Sequence, residues 1–258
     1  MLAIGDIVRL HMGHFTMPAD SRLPGVRVVV SAFLIRHPKG LFLFDTGIGE
    51  GHEGAEQMYR PERRPLEEAL ATAGAAIGDV KLLANCHLHF DHSGGNFRFP
   101  GVPIFAQARE HAAAQVPDYT LPEKVVDFSG ATFELIDGDA EPLPGLTVIP
   151  TPGHVPGHQS LVVETRQGRV ILAGQALNDA TEFSRAHFAF ELAKTGRDHQ
   201  PYPDWVERFA AFDPWRVLFA HDTAIWERGA TPRATPASAS PGTHRSPRGS
   251  RRSCSTGE

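Results

Sequence analysis

The sequence predicts an α/β protein built from layered β-sheets flanked by helices, and three observations carry that prediction. The chain has 258 residues, 41% apolar and 21% charged, enough to bury a large core without disulfides. Strand and helix periodicities alternate along residues 1–228, and the strands outnumber the helices. Strands joined by tight hairpin turns also argue against an all-parallel, doubly wound sheet.

Taken in order, residues 26–36 form a β-branched run, His37-Pro38-Lys39-Gly40 reads as a turn, and residues 41–44 return as a second strand. Leu66, Ala69, Leu70, Ala73 and Ile77 fall on one apolar helix face closed by Gly74 and Gly78. Short strands are predicted at 80–85, 102–106, 146–150, 161–164 and 170–173. Trp205, Phe209 and Phe212 mark a second amphipathic helix, and residues 216–220 a last strand.

Residues 229–258 contain none of Val, Ile, Leu, Met, Phe, Trp or Tyr, and eighteen of these thirty are Gly, Pro, Ser or Thr. Such a stretch cannot offset its ordering entropy by burial, so a disordered basic tail is expected after a folded domain at 1–228. The tail holds five arginines and one acid, which leaves 20 basic and 29 acidic side chains in the body. An acidic fold gives no electrostatic case for nucleic acid or an anionic membrane surface. No apolar run approaches the ~18 residues needed to span a bilayer. Two cysteines, Cys86 and Cys254, make a poor disulfide framework, and the first residues lack a basic stretch followed by an apolar one. A cytoplasmic protein with a small-molecule partner is the expectation, with its oligomeric state open.

The unusual residue is histidine, present fourteen times. The densest chemistry is Cys86-His87-Leu88-His89-Phe90-Asp91-His92, just after a predicted strand. Two histidines at i and i+2 project to the same side of an extended chain, and the Asp-His pair adds a carboxylate and a third imidazole. That donor set suits zinc. A second cluster, Thr151-Pro152-Gly153-His154-Val155-Pro156-Gly157-His158-Gln159-Ser160, is a Pro/Gly-punctuated turn between strands, which holds a side chain rigidly at a sheet edge. The third piece, Phe219-Ala220-His221-Asp222, follows a strand end.

With Phe44-Asp45-Thr46-Gly47, these blocks resemble the metallo-β-lactamase superfamily, in its lactonase-like branch typified by N-acyl-homoserine lactonases. The resemblance implies a four-layer αββα sandwich with the metal site at one edge of the facing sheets. It implies that His87, His89 and His154 hold one metal and that Asp91, His92 and His221 hold a second, with one or two zinc ions per chain. Asp45 would orient ligands, and His158 would hydrogen-bond within its turn. Two departures stand out. Gln175 occupies the position of a bridging aspartate, and a neutral amide offers one oxygen where a carboxylate offers two anionic ones. Asn178 stands where lactonases commonly carry a substrate-contacting tyrosine.

The implied activity is a metal-dependent hydrolase that opens a lactone or ester by metal-bound hydroxide, with Asp91 as catalytic residue orienting the nucleophile. Alternatives are a thioester or phosphoester hydrolase on the same scaffold, or a metal-binding homologue whose catalysis is lost or reduced because of Gln175. Residues 12–17 and 179–190 are expected to line the site, offering Phe15, Phe183, Phe188 and Phe190 to an amphiphilic substrate.

Overall fold

Three strands, β1 (Ile7–Thr16), β2 (Arg27–His37) and β3 (Gly40–Phe44), form an antiparallel meander at the start of the chain. The protein is described by a computed structural model covering residues 1–117, 119 and 126–229. The tail expected beyond Gly229 therefore lies outside the described residues. Helix α1 (Glu53–Tyr59), the short β4 (Glu62–Arg63) and α2 (Leu66–Thr72) follow. β5 (Val80–Ala84), α3 (Phe90–Ser93), β6 (Pro103–Gln107), α4 (Ala108–Ala113) and β7 (Thr132–Ile136) complete a first sheet ordered β4-β1-β2-β3-β5-β6-β7. From β3 to β7 its neighbours run parallel.

The second sheet is ordered β13-β12-β11-β10-β9-β8. Its strands are β8 (Ala140–Leu143), β9 (Leu146–Pro150), β10 (Gln159–Thr165), β11 (Gly168–Leu172), β12 (Arg216–Leu218) and β13 (Ile225–Glu227). Helices α5 (Ala180–Lys194) and α6 (Trp205–Ala211) connect β11 to its parallel neighbour β12.

Strand alternation sorts the apolar side chains into three layers of contact. Phe33, Ile35, Phe42 and Phe44 of the first sheet meet Leu161, Val163, Val170 and Leu172 of the second between the sheets. The opposite face of the first sheet packs Leu10, Val30, Ala32 and Leu43 against Leu66, Ala69 and Leu70 of α2. The outer face of the second sheet packs Val162, Ile171 and Val217 against Phe183 of α5 and Trp205, Val206 and Phe209 of α6. The result is helix, sheet, sheet, helix, the four-layer sandwich expected from the resemblance. Among the described residues no helix is long and apolar enough to cross a membrane.

Some details differ from the sequence reading. Helix α2 ends at Thr72, and Ile77 belongs to a separate single turn, Ile77–Asp79, because Gly74 takes φ 68° and turns the chain away. Strand β1 and the fifteen-residue α5 had no counterpart in that reading. The first carries the non-alternating His11-Met12-Gly13-His14, where the register slips. The second mixes Phe with Thr, Ser and Arg rather than keeping one apolar stripe.

Candidate metal centre

The chain reaches one edge of the sandwich at the ends of β3, β5, β11 and β12 and in the turn between β9 and β10. After β5, residues 85–89 continue extended until the one-turn helix α3 begins. The carbonyl of His89 accepts the N–H groups of both His92 and Ser93, at 3.0 Å each, and this turn swings Asp91 and His92 inward. Gly94 closes it against the first sheet, where a Cβ would meet the Gly49 backbone at 1.8 Å.

Two groups of three ligand atoms result, each with all atoms within 4.8 Å of one another. His87, His89 and His154 form one, and Asp91, His92 and His221 the other. His87 is the hinge between them, its ring centroid 4.4 Å from His89, 4.7 Å from His154 and 4.3 Å from His92. The six histidine and aspartate positions singled out in the sequence thus come together at one place.

Hydrogen bonds settle which nitrogen each imidazole presents. His92 Nδ1 donates to Asp45 Oδ2 at 3.0 Å, because a carboxylate only accepts, and Nε2 is left to face the centre. The other carboxylate oxygen of Asp45 accepts the Cys86 N–H at 2.7 Å, so one buried carboxylate fixes both the ligand loop and a ligand ring. Asp45 adopts φ 66°, a left-handed conformation in which a non-glycine residue is strained, as at many functional sites. His221 Nδ1 donates to the Val29 carbonyl at 2.9 Å, again freeing Nε2. Between the groups lies the free, buried Cys86, its Sγ 3.2 Å from Nδ1 of both His87 and His92. Burial, reinforced by Asp45, pushes its thiol up to about 12.

His158 sits behind the centre. Its Nε2 accepts the Gln175 backbone N–H at 3.0 Å, so Nδ1 carries the proton and donates to Thr151 Oγ1 at 2.8 Å. Thr151 bonds Ser160 Oγ at 2.8 Å, and Ser160 donates to the Ala173 carbonyl at 3.1 Å. This chain returns to the β11 end it started from and satisfies every buried member. Gly174, φ 58°, permits the crowding, since a Cβ there would lie 2.3 Å from the Cys86 Cβ.

The residues present fit a cation. His87 Nε2 is buried with no hydrogen-bond partner, although such a group is costly unless something satisfies it. His92 Nε2 lies 3.1 Å from His221 Nε2, 3.2 Å from Gln175 Oε1 and 3.3 Å from Asp91 Oδ2, an array of acceptors converging on one point. Across the other group, His154 Nε2 lies 3.2 Å from His89 Nδ1. Burial, then the neighbouring rings, drive His87 well below the ordinary histidine value, and burial with His89 takes His154 down to about 4. Burial alone would lower His92 as well, but the Cys86 thiol and the Asp91 and Asp45 carboxylates outweigh it and hold His92 well above. For Asp91, burial works to raise the carboxyl, and His92, His221 and His89 together hold it below the usual carboxylate range. Neutral imidazoles in one group and excess negative potential in the other are the conditions that metal ligands require.

Beside the second group opens a cavity of about 530 Å³, walled by Phe15, Met17, Leu23, Val26 and Val28 and floored by Gln175, Asn178 and His221. Phe15 packs edge-on to His221 with centroids 5.9 Å apart. Three of the expected aromatics are elsewhere. Phe183 is buried between α5, α6 and the second sheet, Phe190 packs on the same cluster, and Phe188 is exposed. Only the first turn of α5 reaches the cavity, through Glu182 beside the Asp179 cap, so later residues of the helix point past it.

The sequence reading missed several supports. Glu110 Oε1 accepts both the Leu88 N–H and the Tyr119 hydroxyl at 2.8 Å, bracing the stretch between His87 and His89, while Tyr119 lies against His89 at 5.1 Å. Nothing local marks Glu110. Glu182, four residues after Asn178 on a helix start, did carry a spacing signal.

Comparison with known proteins agrees with this geometry. Residues 25–226 match the family model described as the metallo-beta-lactamase superfamily. An N-acyl homoserine lactonase of Bacillus cereus is 31% identical over 208 residues, covering 75% of this chain and 81% of that protein. One from Azorhizobium caulinodans is 30% identical over 233 residues, covering 81% and 85%. A solved N-acyl homoserine lactone hydrolase, with the product N-hexanoyl-L-homoserine at its catalytic metal centre, superposes with a TM-score of 0.69 at 27% identity, covering 86% of this chain and 95% of that one.

Proposed function

Because the chain belongs to the metallo-beta-lactamase superfamily, we propose that it is a metal-dependent hydrolase that opens the ring of an N-acyl homoserine lactone or a closely similar ester. The observation that carries this reading is the placement of the two ligand groups at the floor of a cavity whose walls are apolar. Zinc suits the donors, three imidazoles on one side and two with a carboxylate on the other. When bound, the metal lowers the pKa of a water and polarises a carbonyl.

The residues do the rest. Asp91 is ionised and buried, with Oδ2 3.3 Å from His92 Nε2 and 3.4 Å from His221 Nε2, so its carboxylate accepts the proton of the attacking water and returns it to the departing alkoxide. Asp45 and the Val29 carbonyl hold His92 and His221 in register while charge changes around them. Phe15, Met17, Leu23, Val26 and Val28 take an acyl chain, keeping water from the reacting carbonyl. Asn178 cannot supply a proton, which leaves Asp91 as the acid for the leaving group. Cys86 as a buried free thiol accords with a cytoplasmic setting.

The test is turnover by the zinc-reconstituted chain of N-hexanoyl homoserine lactone beside an acyl thioester and an aryl phosphodiester. Zinc-dependent opening of the lactone at the highest kcat/KM is expected. A preference for the thioester or phosphodiester, or no turnover of any of the three at full metal occupancy, overturns the reading.

A further inference from the structure

A primary amide has two ends of nearly equal shape and opposite polarity, so its function at a cation depends on which end faces it. Gln175 points Oε1 at His92 Nε2, 3.2 Å away, and donates through Nε2 to Asn178 Oδ1 at 3.4 Å. Asn178 in turn donates through Nδ2 to Glu182 Oε2 at 3.2 Å, and its backbone N–H donates to the same oxygen at 3.0 Å. Two amides in series thus end on a carboxylate.

We propose that Glu182 is a positioning residue that sets, through Asn178, which end of the Gln175 amide faces the Asp91/His92/His221 group. The inference rests on the metal-centre reading above. A carboxylate can only accept, so Asn178 must turn its NH₂ toward Glu182, which leaves Oδ1 for Gln175. Gln175 must then donate to Asn178, and its oxygen is what remains for the cation. Without Glu182 both amides can flip together and keep the bond between them, which would turn an NH₂ toward the metal group, where it cannot coordinate. Glu182 is itself fixed, because its backbone N–H donates to the Asp179 cap at 2.8 Å in the first turn of α5. The carboxylate therefore acts on the centre at a distance, through polarity rather than contact.

The experiment titrates Co(II) into the metal-free full chain, following calorimetry and the visible spectrum, for wild type, Glu182→Ala, Glu182→Gln, Gln175→Ala and the Gln175→Ala/Glu182→Ala double variant. Glu182→Ala is expected to weaken the second equivalent by about tenfold to a hundredfold, the range for residues that orient ligands, with the first equivalent unchanged. Glu182→Gln keeps a side-chain oxygen for Asn178 and should recover most of that loss. In the Gln175→Ala background the Glu182→Ala change should add nothing. The relay is overturned if Glu182→Ala binds both equivalents as wild type does, if it weakens both equally, if Glu182→Gln recovers nothing, or if the two changes are additive. A wild-type chain that binds only one equivalent also overturns it, whereas a chain that binds no cobalt at all overturns the metal-hydrolase reading as well.

Discussion

The two ligand groups share a wall at His87 yet are built in opposite ways. In the group of Asp91, His92 and His221, two of the three ligands are oriented by a hydrogen bond from behind, to the Asp45 carboxylate and the Val29 carbonyl, and the third carries a charge. In the group of His87, His89 and His154, the rings mainly contact one another and Cys86, and His154 rides on an exposed turn. One group is held by hydrogen bonds and charge, the other by the path of the main chain. Disturbances should therefore separate them.

The largest separation is expected from His87→Ala with His89→Ala, which removes two of three ligands from one group. Most metal in that group should be lost and lactone turnover should fall to background. Full metal content by elemental analysis of the double variant would refute the assignment. Next is Asp45→Ala, which touches no metal ligand atom but leaves the His92 Nδ1–H and the Cys86 N–H without acceptors. Each orphaned donor costs about 1–3 kcal/mol of stability. Affinity for the second equivalent should drop by about tenfold to a hundredfold, while the first stays within a few-fold. Calorimetric titration together with urea unfolding separates the two effects, and an equal loss at both sites would show that Asp45 supports the whole edge rather than one group.

Gln175→Asp works in the reverse direction. It adds the anion that the amide lacks between two clusters of cationic ligand chemistry, so the second equivalent should bind more tightly and the two binding steps should move together. If turnover rises with occupancy, the second metal takes part in the reaction. If metal is gained without rate, the wild-type chain works with one tightly held ion. Two equally tight sites already present in wild type would remove the premise that the amide weakens the second.

The same contrast explains what could be read in the sequence. His87, His89, Asp91 and His92 were legible because four donors within six residues at a strand end have few other uses, and His154 and His221 because each follows a strand at a turn. The group held by the main chain is thus the more legible one, its geometry being local. The supports of the other group are not local. Asp45 lies 47 residues from His92, and Val29 lies 192 from His221. Asp45 was found only through the resemblance, and Glu110 not at all. The phenylalanines of α5 misled for a related reason. Composition shows that aromatics are near, but only the direction of a helix decides that Phe183 enters the core while Glu182 faces the cavity.

The smallest effect expected is an acid sensitivity confined to one group. Burial first, then mutual repulsion, lowers the proton affinity of His87, His89 and His154 in the fold. Each therefore stays neutral when the unfolded chain, with histidines near 6.5, already binds protons. As pH falls from about 6.5 toward 4, the unfolded state takes up more protons than the folded one, and the metal-free protein loses stability. His92 runs the other way, since its raised proton affinity favours the fold below about 6.5 and that advantage is lost only as pH rises through its folded value. Asp91 is held below its ordinary value of 3.8, so its contribution is constant across this window and is lost only at lower pH. The acid slope thus belongs to the three-histidine group. Unfolding free energies of the metal-free chain measured between pH 4.5 and 7.5 should fall with acid, and His154→Ala should flatten the slope by less than one proton. His92→Ala should steepen it by removing the opposing contribution. A slope indifferent to His154→Ala, or flattened by His92→Ala, would mean that the two groups are not electrostatically distinct and that the division between a main-chain-held and a hydrogen-bonded half is wrong.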